Sequence, residues 1–158
     1  MKKRGIRGQR SDGKPQLNLA LLPEGVRDVD FGARGYQLQG LIAWRKATSL
    51  VTAIYELTTH FPRHEMYGLI SQLRSAPVSI ASNIAEGHGR ATLGEFAQFL
   101  CQARGSLCEV ETQIVIAGEL GYIDLQQDSS LTRKTVELGR ILNGLISSIQ
   151  RRRLHRPH

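Results

Sequence analysis

From residue 41 onward the apolar residues of this chain recur at steps of three and four, the spacing that gathers them on one face of an α-helix. Between Leu41 and Phe61 the series is Trp44, Ala47, Leu50, Val51, Ile54, Leu57 and Phe61, and Phe61-Pro62 ends it. A second helix is expected from near Glu65 to Gly87 and Gly89, whose easy access to positive φ can close a helix. It carries the row Leu69, Leu73, Ala76, Ile80 and Ile84, and Pro77 inside it should bend it. Thr92 stands three residues before Glu95, the spacing of a capping box, so a third helix starts there and runs to Gly121. Its Leu93, Phe96, Leu100, Ala103, Leu107, Val110, Ile114 and Ala117 form the most regular series in the chain. A fourth helix, capped by Asp128 or Ser129, has Leu131, Leu138, Leu142, Leu145 and Ile149 as its stripe. No segment shows the sustained alternation of a strand.

Four helices of about 17 to 28 residues with short connections predict an all-α, antiparallel up-and-down four-helix bundle, a rod of roughly 25–40 Å. The apolar face of the fourth helix is wider than one stripe. Ile141, Ile146 and Ile149 there suit either a broad seat in the core or a subunit interface. Length fits one domain: 158 residues supply a real core and are too few to expect two. The two cysteines indicate no disulfide framework, and no apolar run approaches the roughly 20 residues of a membrane span, so a cytoplasmic protein with no membrane partner is expected.

The formal charge of +7 suggests an anionic partner until its distribution is considered. Residues 1–40 hold eight Lys or Arg against four Asp or Glu, and Arg151, Arg152, Arg153 and Arg156 close the chain with no acid among residues 151–158. Residues 41–150 hold nine basic and ten acidic groups, a net charge of −1. The sequence thus divides into a disordered basic extension or mis-assigned start over 1–40, a bundle over 41–150, and a basic tail over 151–158.

Catalytic chemistry finds little purchase. A di-iron bundle needs Glu-x-x-His on two helices, which is absent; His60 and His64 flank a proline, and Glu86 and His88 diverge on a helix. Cys101 and Cys108, seven apart, cannot bond within one helix and suit buried small hydrophobes. Ser79, Ser82 and Ser106 have no positioned base. No enzyme, metal or cofactor is expected. What stands out instead is the polar row Ser79, Ser82, Asn83, Glu86 and Arg90 along the second helix. It serves either as a polar network in which Asn83 and Glu86 bond to the third helix or to the turn near Gly87 to Thr92 or, with Arg74, Arg90 and Arg104, as a contact surface for phosphates or a protein.

These residues carry a resemblance. Arg74, Ala76, Val78-Ser79-Ile80, Ser82-Asn83-Ile84-Ala85-Glu86-Gly87 and Gly89-Arg90 resemble the signature of the bundle proteins encoded inside intervening sequences of bacterial large-subunit ribosomal RNA genes. That family includes the accessory variability proteins of diversity-generating retroelements. Trp44-Arg45-Lys46-Ala47, Phe61-Pro62, Tyr67-Gly68-Leu69, Glu95-Phe96 and Gly105-Ser106-Leu107 add to the likeness, which covers about residues 38–150. The resemblance implies a non-enzymatic homopentamer that, in retroelement members, binds a reverse transcriptase and nucleic acid through basic surfaces. Arg45, Lys46, Arg74, Arg90, Arg104, Arg151, Arg152 and Arg153 are the candidate RNA or DNA contacts. The expected function is therefore a homo-oligomeric bundle that binds nucleic acid or a nucleic-acid-processing protein. The near-neutral body favours the alternative, a protein-protein scaffold or regulatory module with no nucleic-acid binding.

Overall fold

A computed structural model describes residues 41–154, the last two by backbone alone. The expectations for residues 1–40 and for 155–158 fall outside the described residues. Four helices follow one another: α1, Ile42–Thr58; α2, Leu69–His88; α3, Leu93–Glu119; and α4, Leu125–Leu154. A 3-10 turn, Arg63–Tyr67, joins α1 to α2. Packing runs α1 on α2, α2 on α3, α3 on α4, and α4 back on α1, which is the antiparallel up-and-down bundle. Among the described residues there is no strand, and no helix is long and apolar enough to cross a membrane.

Burial follows the helical period but shifts its edges. In α1 the core residues are Ala43, Ala47, Leu50, Ile54 and Thr58, with Trp44 and Leu57 packed partly buried at the rim. Ala43 and Ala47 face inward ahead of Leu50 and Ile54, on the side where α2 and α4 close on α1. In α2, Ile70 rather than Leu69 takes the first core seat, and Pro77 is buried inside an unbroken helix. In α3 the expected series is buried from Leu100 to Ala117, whereas Leu93 is exposed and Phe96 lies partly exposed.

Helix ends depart from expectation in instructive ways. Thr92 caps α3 as expected: its Oγ1 accepts from the Glu95 N–H at 3.2 Å, and the Glu95 carboxylate takes the Thr92 hydroxyl, at 2.7 Å, as its partner. Gly121 closes α3 at φ +71°, with the Tyr122 N–H on Ala117 O and the Gly121 N–H on Gly118 O, both at 2.9 Å. Helix α4 begins earlier than Asp128 or Ser129 would have it. Asp124 Oδ1 accepts the Gln127 N–H at 2.7 Å while Gln127 Oε1 accepts the Asp124 N–H at 2.9 Å, a reciprocal cap that starts the helix at Leu125. At the other end α4 continues through Arg151 to Leu154, so the first half of the expected tail is helical. Gly89 ends α2 in a right-handed conformation at φ −79°, and Gly87 lies inside the helix, so neither closes it through positive φ.

Of the candidate oligomer face, Ile149 belongs to the core, and Ile141 and Ile146 pack partly buried against it. The broad apolar side of α4 is in large part the seat that α4 takes between α1 and α3.

Candidate nucleic-acid interface

The polar row of α2 resolves into several separate jobs. Asn83 Nδ2 donates to Ser79 O at 2.9 Å and to Ser79 Oγ at 3.3 Å, so its bonds stay within α2. The bond that crosses to α3 comes from Ser106, whose hydroxyl donates to Ser79 Oγ at 3.1 Å. Glu86 pairs with Arg90 in the turn that follows α2, the alternative expected for it, and Ser82 is exposed. The expected network between α2 and α3 therefore reduces to Ser79, with Ser106 as the partner that the row had omitted. Ser106 stands beside Ala103 and Leu107 at the edge of the α3 stripe, and only the register of the two helices brings it to Ser79.

Two further contacts fasten the same pair of helices. The Arg90 guanidinium lies 4.8 Å from the centre of the Phe99 ring. Gly87 is buried so closely against α3 that a Cβ on it would stand 2.6 Å from Phe99 Cβ and 2.9 Å from Phe96 Cδ2. The glycine in the signature run is there for helix approach.

At the opposite end of the bundle Glu65 joins three elements. Its Oε2 accepts the Leu69 N–H at 3.0 Å, capping α2, and its Oε1 accepts the Tyr122 hydroxyl at 3.2 Å. Phe61 and Tyr122 stack in tilted fashion at 5.3 Å between ring centres. Glu65 thus sits ahead of α2 and caps it, and the helix expected to begin near Glu65 begins four residues later, at Leu69. The bond from the Leu69 N–H, chiefly, holds the Glu65 carboxyl below the ordinary carboxylate range, and burial pushes the Tyr122 phenol up. A depressed folded-state value means that Glu65 contributes stability fully above the unfolded carboxylate pKa of about 4.3. That contribution is lost as pH falls through the lower folded value. Melting curves from neutral to acid pH should show wild type more stable than Glu65→Gln at neutral pH, with the gap closing below about pH 4; a gap independent of pH would contradict this.

The cysteines differ from expectation. Both Cys101 and Cys108 are exposed, flanking Gly105 on the outer side of α3. Among the described residues no three His, Cys, Asp or Glu side chains gather as a metal site.

The candidate basic contacts do not form one patch. Arg74 lies apart in the half holding the α1–α2 connection. Its Nε donates to Thr58 Oγ1 at 2.8 Å, and its guanidinium lies 4.8 Å from the Tyr55 ring centre. Lys46 is paired with Glu137 at 2.6 Å, and Arg104 donates to Asn143 Oδ1 at 3.1 Å. Arg45, Arg90, Arg151 and Arg152 are exposed and share the end where α1 begins and α2 and α4 finish. Arg153 continues the same helix by its backbone.

The antiparallel topology also sorts the charge. With each helix divided at its midpoint, residues 51–78 and 107–139 lie toward the end that holds the α1–α2 and α3–α4 connections, and carry eight acidic against four basic residues. Residues 41–50, 79–106 and 140–152 make the other half and carry seven basic against two acidic residues. Residues 41–152, with a net charge of +1, are thus about −4 at one half and about +5 at the other. Helix dipoles account for part of this, since Asp124 and Asp128 flank the start of α4 and Arg151 and Arg152 lie in its last turns. Arg45, Arg104 and Arg140 have no such reason and extend the basic half over three helices.

The chain resembles a crystal structure of a protein of unknown function from the S23 ribosomal protein family of Bacteroides thetaiotaomicron, with 20% identity over 66% of this chain and 98% of that one, at a TM-score of 0.62. That likeness speaks for the fold. No curated protein matches the sequence. The model of the 23S rRNA-intervening sequence protein family matches residues 39–144, which include α1, α2 with its whole signature, α3 and the first two-thirds of α4. This chain belongs to the 23S rRNA-intervening sequence protein family.

Proposed function

We propose that this protein is a non-enzymatic, homo-oligomeric cytoplasmic bundle whose basic half binds RNA or DNA, alone or together with a nucleic-acid-processing protein such as a reverse transcriptase. One observation carries the reading: the bundle gathers seven basic residues against two acidic ones on a single half. A polyphosphate backbone meets such a surface by releasing its condensed counterions, which needs no pocket and no catalytic group. Arg45, Arg90, Arg104, Arg140 and Arg152 supply fork-shaped donors suited to phosphate oxygens.

Salt dependence is the test. Retention of a short RNA or DNA duplex by the purified chain should fall steeply between 50 and 200 mM salt. Arg45→Glu/Arg152→Glu should weaken it across all sequences and reduce the slope of log K against log salt by about 2. Absence of salt-dependent retention in the unmodified chain would end the nucleic-acid reading. The second reading, a protein-protein module, draws on the opposite half, where exposed apolar residues lie among acids.

A further inference from the structure

Cys108 stands where two open grooves meet on the outer side of α3. One, of about 540 Å³, lies between α3 and the start of α2 and is walled by Leu69, Gln72, Thr112 and Ile116. The other, of about 380 Å³, lies between α3 and α4 beside Cys101, Arg104 and Asn143. Cys108 lines both and is exposed. Two groups near it keep bonding capacity in reserve. Arg104, one helical turn before Cys108 and so on its face, gives one guanidinium N–H to Asn143 Oδ1 at 3.1 Å, and its fork has about five N–H groups to give. On the wall of the first groove, Gln113 Oε1 is buried without a hydrogen-bond partner. A buried acceptor left unpaired is costly, and an N–H donor entering the groove relieves it.

We infer that Cys108 is a modification site, which forms a mixed disulfide with a small anionic peptide thiol. Each part of such a ligand has a counterpart on α3. A carboxylate takes the remaining donors of Arg104, and an amide N–H takes Gln113 Oε1. Along the helix axis Arg104 lies about 6 Å to one side of Cys108 and Gln113 about 7.5 Å to the other. Those are the lengths of the arms on either side of a central cysteine in a tripeptide. In the reaction the Cys108 thiolate attacks one sulfur of the ligand's disulfide. The old S–S bond breaks as the new one forms, and the departing half leaves as a thiolate that takes up the proton Cys108 released. The protein thiol is oxidised and half of the ligand reduced, so no further oxidant enters. Cys101 is the internal comparison: it is exposed on the same side of α3 and lines the groove toward α4, but not the groove that holds Gln113.

Oxidised glutathione is the probe, and hydroxyethyl disulfide, which has neither carboxylate nor amide, is its neutral comparison. Peptide mapping of the full chain by mass spectrometry gives the rate of each reagent at each cysteine, and the ratio of the two rates is the selectivity for the peptide. That selectivity should be about twofold to fivefold higher at Cys108 than at Cys101, the range of a contact at an exposed site. Arg104→Gln should lower it at Cys108 by a similar factor, and raised salt should do the same in wild type. Gln113→Leu should lower it at Cys108 and leave Cys101 unchanged. Circular dichroism melting shows that each variant is folded. Equal selectivity at the two cysteines overturns the site, as does an Arg104→Gln chain that slows both reagents alike, or a Gln113→Leu chain that affects both cysteines or neither. The adduct sets two carboxylates and one ammonium group against Arg104. Where the basic half binds nucleic acid as proposed, the modified chain should therefore retain RNA or DNA more weakly and recover on addition of dithiothreitol. The mixed disulfide does not rest on that reading: selective modification of a chain that retains no nucleic acid leaves the Cys108 site standing and removes the nucleic-acid reading, and retention without selective modification does the opposite.

Discussion

Gly87→Ala should destabilise the bundle by about 1–2 kcal/mol, even though alanine is the better helix former by about 1 kcal/mol. The added Cβ would stand 2.6 Å from Phe99 Cβ, an atom fixed to the α3 backbone, so one helix must move from the other. Moving α3 also strains the Ser106–Ser79 bond and the seat of Arg90 on Phe99. Overpacking of this kind costs roughly 1–3 kcal/mol, and the helix-propensity gain offsets part of it. For a bundle of this size the melting temperature should drop by roughly 5–10 °C at a fixed protein concentration. Gly105→Ala is the matched control. Its Cβ meets nothing within 4 Å, so the same change one helix away should stabilise by about 0.5–1 kcal/mol. A Gly87→Ala protein as stable as wild type would mean that α2 and α3 do not approach as described.

A larger loss is expected for Leu138→Ala, about 2–5 kcal/mol by urea unfolding. Leu138 is fully buried where α4 meets the core, and Leu142, equally buried, lies one turn on. Truncation there removes the transfer energy of three carbons and leaves a cavity that the other three helices can fill only in part. Val136→Ala, two residues earlier and 42% exposed, should change stability by no more than about 0.5 kcal/mol. Equal effects at the two positions would contradict the assigned face of α4.

The helical period and both ends of α3 were legible without coordinates. The number, type and order of the helices follow from apolar steps of three and four, because a helix can bury only the face that such steps define. Thr92 with Glu95 marked the start of α3, and Gly121 its end, since both are local hydrogen-bond arrangements that the flanking residues suffice to build. The Asp124–Gln127 cap was equally local, and the Asp-x-x-Gln spacing could have located it. The signature of α2 was legible as a pattern and identified the family, but its internal roles were not.

Those roles depend on which helix lies opposite. Ser79 looks across at Ser106, and Gly87 against Phe96 and Phe99, only because α2 and α3 pair in one register. Trp44 and Ala43 are adjacent on α1, and the rotation set by α2 and α4 puts the alanine inside and the indole at the rim. Cys101 and Cys108 lie at helical spacing that suits a buried stripe, yet the α3 core face is already complete without them. Charge shows the difference most plainly. A sum along residues 41–150 is −1, because acidic and basic stretches alternate with the direction of the chain. Antiparallel packing folds like-charged stretches onto the same half, and a nearly neutral sequence becomes a bundle with a negative end and a positive one. The sequence by itself determined four amphipathic helices, the two ends of α3 and the family. The tertiary structure alone decided which side chains meet and where the charge collects, because both depend on residues far apart in the chain being brought side by side.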